Sequence, residues 1–397
     1  MADFSKVILK PGREKSILKK HLWIFSGAVY AVSNELEDGE IVEVYSSDRK
    51  YLATGHFQDG SICVRIFSFN KIDKENIRSF WKNQIINAIN RRKALNIFDN
   101  KKTNSFRIIH GESDILPGLI ADFYNGVVVL QAHSVGMLNL LPCFSEIFRE
   151  VLENEIVAVY SKSGATIKQA EENNLKEGFL YGSVNETIFS ENNMKFYLDL
   201  INGQKTGFFL DQRNNREILS KSCNGKSVLN VFGYTGAFSV AALIGNANKV
   251  VTVDISENAI NMANKNIELN FGKEANHQSV VADAFEFLKN NEEKFDIIIL
   301  DPPAFAKHSD AKNNAMKAYR RLNAAALKHL NKNGLLFTFS CSQVITKPDF
   351  LTAIYNAATD SGKQISIVHQ LHQAPDHPVN IFHPETEYLK GLVLLAD

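Results

Sequence analysis

After Asn224 the sequence settles into a single rhythm. KSVLNVF, KVVTVDI, HQSVVADA, KFDIIIL and GLLFTFS are short apolar runs, each separated from the next by a helical stretch. Strands that are apolar on both faces must be covered on both, and strands joined through helices run parallel, so this half predicts a doubly wound α/β sheet. In such a sheet ligands sit beyond the carboxyl ends of the strands, where the connecting loops converge.

The rest of the chain has a different texture. At 397 residues it exceeds one ordinary core, and two or three domains are expected. KVILK, GEIVEVYSS, YLATGHF and ICVRIFSF are β-rich runs punctuated by Gly, Asp and Ser, and they predict a small β-barrel. Ile77, Phe80, Trp81, Ile85, Ala88 and Ile89 then fall at helical spacing and predict one amphipathic helix. From about residue 105 to 185 strands mix with one helix near Leu138 to Glu153, which suggests a compact α+β module. GESDILPGL inside it reads as a turn, although Glu112 and Asp114 could face a site. The expected division is therefore residues 1–72, 73–185 and 186–397.

Composition removes several alternatives. The chain is 45% apolar and 22% charged, as globular proteins are, and no stretch reaches the roughly 20 apolar residues of a membrane span. With no apolar signal-peptide core at the N-terminus, a cytoplasmic protein is expected. Forty-four basic and 44 acidic residues cancel, which argues against a generally basic nucleic-acid binder. Lys6, Lys10, Arg13, Lys15, Lys19 and Lys20 nevertheless make a local positive patch against Glu14 alone. Cys63, Cys143, Cys223 and Cys341 form no CxxC pair, so neither a zinc site nor a disulfide framework is indicated, and no metal is expected.

The polar oddities of the alternating half all fall at strand ends. NVFGYTGAFS follows the first strand, with Gly233 and Gly236 allowing close backbone approach and a helix N-terminus near Thr235. Its G-x-x-G spacing is not the G-x-G-x-x-G of pyrophosphate binders. Asp254 ends the second strand, 21 residues after Gly233, placed to accept both hydroxyls of a ribose. Asp283 follows the third and suits either an adenine amino group or a helix cap. Together they read as a nucleoside pocket. The fourth strand closes in Asp301-Pro302-Pro303, a rigid loop able to hold a flat group and suited to methyl transfer onto a planar base. Cys341 ends the fifth, in the neighbouring loop, between Ser340 and Ser342. A thiolate there could add to C6 of a pyrimidine and turn C5 into a nucleophile. Cys63, Cys143 and Cys223 read as inert core thiols.

VLNVFGYTGAFS, VVTVDIS, VADAF, LDPPAF and FSCSQ, in this order, resemble the class I S-adenosylmethionine-dependent methyltransferases. More narrowly, NGQKTGFFLDQRNNR (Asn202 to Arg216) and DHPVNIFHPETEYLKGLVL are similar to the ribosomal RNA large-subunit methyltransferase I family, which makes 5-methylcytosine in 23S ribosomal RNA. The likeness spans essentially the whole chain. It implies an N-terminal RNA-binding PUA β-barrel, a small α+β domain and a Rossmann-like methyltransferase domain. LKPGREKSILKKHLWIFSGAV is similar to that family's PUA opening, so Arg13, Lys15 and Lys20 are expected to meet RNA phosphate, with Trp23 read as core.

The resemblance also implies that Phe232, Gly233, Tyr234 and Gly236 hold the methionine end of S-adenosylmethionine, Asp254 its ribose and Asp283 its adenine. Gln212 and Arg213 would close over the same ligand, which Asp301 also borders. Cys341 matches the family's nucleophile. Independently of family, Asp211 reads as a helix N-cap. Other RNA cytosine methyltransferases carry a second cysteine directly after Asp-Pro-Pro; here Ala304 stands there, so the base that removes the C5 proton is unassigned, with Lys307 one candidate.

The expected function is thus RNA cytosine-C5 methylation, with Cys341 as nucleophile and Asp301 hydrogen-bonding the pyrimidine edge. One rival is an amino-group methyltransferase, although such enzymes usually carry an aromatic directly after the prolines, where Ala304 precedes Phe305. Another is a non-catalytic RNA-binding assembly factor. Whether the chain acts as a homodimer is left open.

Overall fold

The computed structural model describes residues 4–33, 35–98, 100–167, 175, 177–306 and 308–397. The chain forms two compact units, one of Met1–Phe189, Leu198–Phe208 and Pro375–Thr386, the other of Ser190–Tyr197, Phe209–Ala374 and Glu387–Asp397.

The first unit opens with six strands, Ser5–Leu9 (β1), Trp23–Phe25 (β2), Val29–Val32 (β3), Ile41–Tyr45 (β4), Tyr51–Phe57 (β5) and Ile62–Ser68 (β6). They form one sheet in the order β2-β6-β5-β4-β1-β3, a half-barrel in which only β1 and β4 pair in parallel. Its core holds Val7, Leu9, Ile24, Val42, Val44, Val64 and Ile66, which alternate along β1, β4 and β6 with Ile24 on β2. The helix Ile77–Ala94 follows, with Trp81, Ile85, Ala88 and Ile89 buried as their spacing requires.

A second sheet of this unit contains Ser105–His110 (β7), Leu119–Tyr124 (β8), Val127–Ala132 (β9), Ala158–Lys162 (β10) and Glu177–Tyr181 (β11), in the order β11-β10-β9-β8-β7. The single helix expected near Leu138 to Glu153 is two, Val135–Asn139 and Leu141–Leu152. Pro142 in the first turn of the second explains the break, since proline lacks the N–H that would continue the first. GESDILPGL is a turn as expected. Gly111–Asp114 makes one 3₁₀ turn, and Gly118, at φ +81, brings the chain against Ser134. Neither acid of that turn is free. Asp114 is buried in an ion pair with Arg92 at 2.6 Å, and Glu112 accepts the Trp23 indole N–H at 2.9 Å.

The segment Pro375–Thr386 is held in this unit by polar bonds. Arg92 Nη2 donates to the Asp376 carbonyl at 2.8 Å, Arg107 N to the Asp376 carboxylate at 3.0 Å, Ser113 Oγ to the Pro378 carbonyl at 2.6 Å and Asn380 Nδ2 to the Glu112 carbonyl at 3.0 Å.

A two-stranded ladder of Ile188–Glu191 (β12) and Met194–Tyr197 (β13) follows in sequence. The second unit is built on seven strands: Ser227–Val231 (β14), Lys249–Asp254 (β15), His277–Val281 (β16), Phe295–Leu300 (β17), Leu330–Ser340 (β18), Ile365–Leu371 (β19) and Lys390–Ala396 (β20). Their order is β16-β15-β14-β17-β18-β20-β19. The first five are parallel, and β20 inserts antiparallel beside β18, with Ser340 opposite Lys390. Val228, Leu229, Val231, Ile297 to Leu300, Phe337 and Phe339 are all buried, as the helix-covered sheet demands.

Arg216 and Glu191 form a fully buried pair in this unit, with Nε and Nη2 each 2.6 Å from a carboxylate oxygen and Nη2 also 2.9 Å from the Phe209 carbonyl. Removing one partner strands a charge away from water. Glu191→Ala should therefore lower the stability of this unit by about 3–5 kcal/mol, read as a lower urea midpoint; an unchanged midpoint would contradict the buried pairing.

Candidate functional site

The carboxyl ends of β14, β15, β16, β17 and β18 lead into Phe232–Gly236, Asp254, Asp283, Asp301 and Cys341 respectively. The parallel sheet therefore gathers these predicted residues along one edge. Phe232 and Tyr234 hold positive φ of +61 and +45 without being glycine, and Gly236 has φ +75, so the loop after β14 is a strained nest of backbone N–H groups.

The glycines of that loop have local reasons. A Cβ on Gly233 would lie 2.3 Å from Thr252 Cγ2, and one on Gly236 2.8 Å from the Ala263 Cβ. They let the loop lie against β15 and the helix Glu257–Phe271, and Gly236 occupies the N-cap of the helix Ala237–Ile244.

Asp254 ties this loop to the next. Its Oδ2 accepts the Tyr234 N–H and its Oδ1 the Ser256 N–H, both at 2.9 Å. Since each carboxylate oxygen can accept two bonds, one lone pair on each is left for a ligand. Asp283 is the N-cap of Ala284–Asn290, with one oxygen, Oδ1, accepting both Phe285 N–H at 2.9 Å and Glu286 N–H at 3.1 Å. The cap and a ligand role are compatible because Oδ2 is not used by the cap.

Gln212 reaches the same edge: its Nε2 donates to Asp301 Oδ2 at 2.9 Å, while Asn215 Nδ2 fixes its carbonyl oxygen at 2.6 Å. Arg213 beside it is buried. Asp211 is not the N-cap. A 3₁₀ turn over Leu210–Gln212 delays the helix to Arg213–Ser220, which places Gln212 at the cap without a side-chain bond. Asp211 instead accepts the Tyr388 hydroxyl at 2.6 Å, and its backbone carbonyl accepts the Ala374 N–H at 2.9 Å.

Cys341 lies beside the Asp301-Pro302-Pro303 loop, its Sγ 3.9 Å from the Pro302 carbonyl. Ser342 Oγ donates to the Ala306 carbonyl at 2.6 Å, which joins the two loops. Ala304 is half-buried, and Lys307 lies outside the described residues.

Cys341 is half-buried, whereas burial pushes the Cys63 thiol up to about 11 and Cys223 up to about 12, and raises Cys143 as well. Cys63 and Cys223 are buried core thiols, while Cys143 is half-buried like Cys341.

Two further residues interact electrostatically with this thiol, and the sequence analysis singled out neither. Lys390, opposite Ser340 on β20, is buried and donates from Nζ to the Ser342 carbonyl at 2.7 Å. Burial lowers its pKa, with the negative form of Cys341 opposing. No carboxylate pairs with it within 4 Å among the described residues. Burial pushes the Tyr319 phenol up to about 12, with the Ser340 hydroxyl opposing and the negative forms of Cys341 and Asp301 adding. Each comes from a segment remote in sequence from Cys341, so no local motif marked them.

In the other unit, Arg13, Lys15 and Lys20 are exposed on and around the short helix Lys15–Leu18, with Lys20 Nζ 4.3 Å from the Phe69 ring centre. None of the three makes an ion pair among the described residues. Trp23 is half-buried and packs against the core of the half-barrel, its indole N–H spent on Glu112. No helix among the described residues is long and apolar enough to cross a membrane.

A parallel sheet with a strained glycine loop after its first strand and acids at the next strand ends defines a nucleoside-cofactor enzyme, and comparison with known proteins gives the class. Residues 107–392 match the S-adenosylmethionine-dependent methyltransferase family, and residues 7–69 match the PUA-like domain. Two solved structures assigned as methyltransferases superpose over 98% of this chain and 99% of theirs: one, in complex with SAH, at TM-score 0.84 and 26% identity, and one from Streptococcus mutans at 0.83 and 25%. Ribosomal RNA large subunit methyltransferase I of Yersinia pseudotuberculosis and that of Yersinia pestis are each 36% identical over 97% of this chain and 98% of their own. The chain belongs to the ribosomal RNA large subunit methyltransferase I family of S-adenosylmethionine-dependent enzymes.

The packing at Gly233 yields a direct test. Gly233→Ala must push the loop off Thr252, and this overpacking should cost about 1–3 kcal/mol, seen as a lower melting temperature; Gly27→Ala, with open space around it and no positive φ, should cost less.

Proposed function

We propose that this protein transfers a methyl group from S-adenosylmethionine to C5 of a cytosine in ribosomal RNA, the 23S RNA, through a covalent bond between Cys341 and C6. The observation that carries this reading is the position of Cys341: it is a half-buried thiol at the carboxyl end of β18, beside the Asp301 loop, with a buried ammonium next to it. Bound at the strand ends, the donor supplies an electrophilic methyl group on a sulfonium. Asp254 has a lone pair on each oxygen for the two ribose hydroxyls, and Asp283 has Oδ2 for the adenine amino group. Phe232, Gly233, Tyr234 and Gly236 line the methionine end, with Gln212 and Arg213 over it.

In this mechanism the Cys341 thiolate adds to C6 while a donor at the pyrimidine edge, held by Asp301, takes up charge at N3. The electron pair displaced onto C5 forms the new bond to the methyl group, and the sulfonium leaves as a neutral thioether. A base then removes the C5 proton, and the electron pair expels the thiolate. Lys390 is the group best placed to favour the thiolate, being a buried cation without a carboxylate partner within 4 Å among the described residues. A target in paired RNA must first leave its stack, at a cost of a few kcal/mol.

The PUA-like barrel, a central module and the methyltransferase domain, divided as 1–72, 73–185 and 186–397, belong to this reading, with Arg13, Lys15 and Lys20 on phosphate. The amino-group alternative is disfavoured by Phe305. Its ring packs on Tyr319 with centroids 4.7 Å apart, which occupies it as a core contact.

Three measurements bear on this. Cys341→Ser should abolish methylation, and RNA carrying 5-fluorocytosine should trap a covalent protein adduct; turnover by the serine variant, or no adduct, overturns the cysteine mechanism. Lys390→Met should slow alkylation of Cys341 by iodoacetamide at pH 7, followed by peptide mass spectrometry, while leaving the other cysteines as slow as before. Replacing Arg13, Lys15 and Lys20 together by alanine should flatten the salt dependence of RNA binding by about 2 in log K against log salt.

A further inference from the structure

His21, His383 and Glu385 lie together in the first unit, far in sequence from one another and unused by the chemistry above. His21 sits just before β2 in the half-barrel, and the other two belong to the segment Pro375–Thr386. One donor atom of each residue lies within 4.8 Å of the other two. His21 Nε2 is 3.4 Å from Glu385 Oε1, and His383 Nε2 is 3.8 Å from Glu385 Oε2. Two imidazoles therefore converge on the two oxygens of one carboxylate. For zinc, with ligands at about 2.0–2.2 Å in a tetrahedron, neighbouring donor atoms stand roughly 3.3 Å apart.

His383 supplies the second, independent observation. Its side chain is 1% exposed, and neither ring nitrogen has a hydrogen-bond partner. A buried imidazole left so costs the desolvation of its polar atoms, about 1–3 kcal/mol, unless something else satisfies it. Trp23 holds the ring edge-on at 4.4 Å, so it is packed in place rather than free to find water. The His21 ring is held by the backbone beside it, with Nδ1 3.3 Å from both the Trp23 carbonyl and the Trp23 N–H, which leaves Nε2 as the nitrogen turned toward Glu385.

We propose that His21, His383 and Glu385 bind a divalent transition-metal ion of the zinc type, which pins the Pro375–Thr386 segment to the half-barrel. Two imidazoles and a carboxylate are the donor set of such ions rather than of calcium or magnesium. Glu385 is 40% exposed and His21 18%, so the ion can enter from solvent and take water as a fourth ligand. The site is structural. It draws on none of the residues assigned to methyl transfer, so its test is separate from that of the cysteine mechanism.

The experiment uses the full-length protein stripped of metal with a chelator and titrated with Zn²⁺ alone by calorimetry, and with Co²⁺ by visible absorption. One equivalent should bind, Co²⁺ should give the visible bands of a low-coordinate nitrogen–oxygen site, and Zn²⁺ should raise the melting temperature. His383→Gln and Glu385→Gln should each weaken Zn²⁺ binding at least about tenfold and remove the melting shift, while Cys341→Ser leaves both unchanged. Should the variants misfold, the wild-type Co²⁺ spectrum decides, since thiolate ligation gives an intense charge-transfer band and nitrogen–oxygen ligation does not. No stoichiometric binding, a thiolate spectrum, or equal affinity in folded His383→Gln overturns the proposal.

Discussion

A parallel strand buried on both faces can carry polar chemistry only where it stops. Along β14, β15, β17 and β18 the side chains must be apolar or satisfied within the layer, as the buried Asn230–Ser239–Thr252 hydroxyl and amide chain is, with contacts of 2.9 and 2.6 Å. The first position released from that requirement is the residue after each strand. Asp301 and Cys341 occupy such positions, Asp254 is the last residue of its strand and Asp283 lies two residues past the end of β16, and the parallel direction puts all of them at the same edge. The sheet is thus both scaffold and selector: it decides where a titratable group is tolerated, and the loops decide what it does.

The same rule explains what could be read before any coordinates. Apolar runs of five to seven residues at regular spacing specified the sheet, and the i, i+4, i+7, i+8 pattern of Trp81, Ile85, Ala88 and Ile89 specified a helix, because both signals are local. The failures were also local but concerned termini. At Asp211 a cap-type residue preceded a helix, yet a 3₁₀ turn intervened and gave the carboxylate to Tyr388. At Pro142 an apolar pattern ran through a position where the backbone could not continue one helix.

Partners brought together by topology left no such trace. Lys390 reaches Cys341 only because β20 inserts antiparallel beside β18, a pairing set by the tail of the chain rather than by the five-strand rhythm. Tyr319 reaches it from the helix Lys312–Lys328, and His21 meets His383 across more than 360 residues of sequence. Sequence periodicity reports which face of an element is buried; it carries no information about which distant element lies on that face.

Burial separates Cys63 and Cys223 from the other two thiols by a criterion independent of motif. A thiol deep in an apolar layer loses more by ionising than it gains, so Cys63 and Cys223, each donating to a backbone carbonyl, are held as neutral groups at 3.3 and 3.1 Å. Cys341 differs in having a loop on one side and an ammonium on the other. That ammonium is itself costly to bury, and its acceptor, the Ser342 carbonyl, offers a dipole rather than a charge. An ammonium with no carboxylate within 4 Å among the described residues is matched in part by any negative charge that forms on the neighbouring sulfur. Burying Lys390 is therefore a cost to the fold that negative charge on Cys341 would lessen.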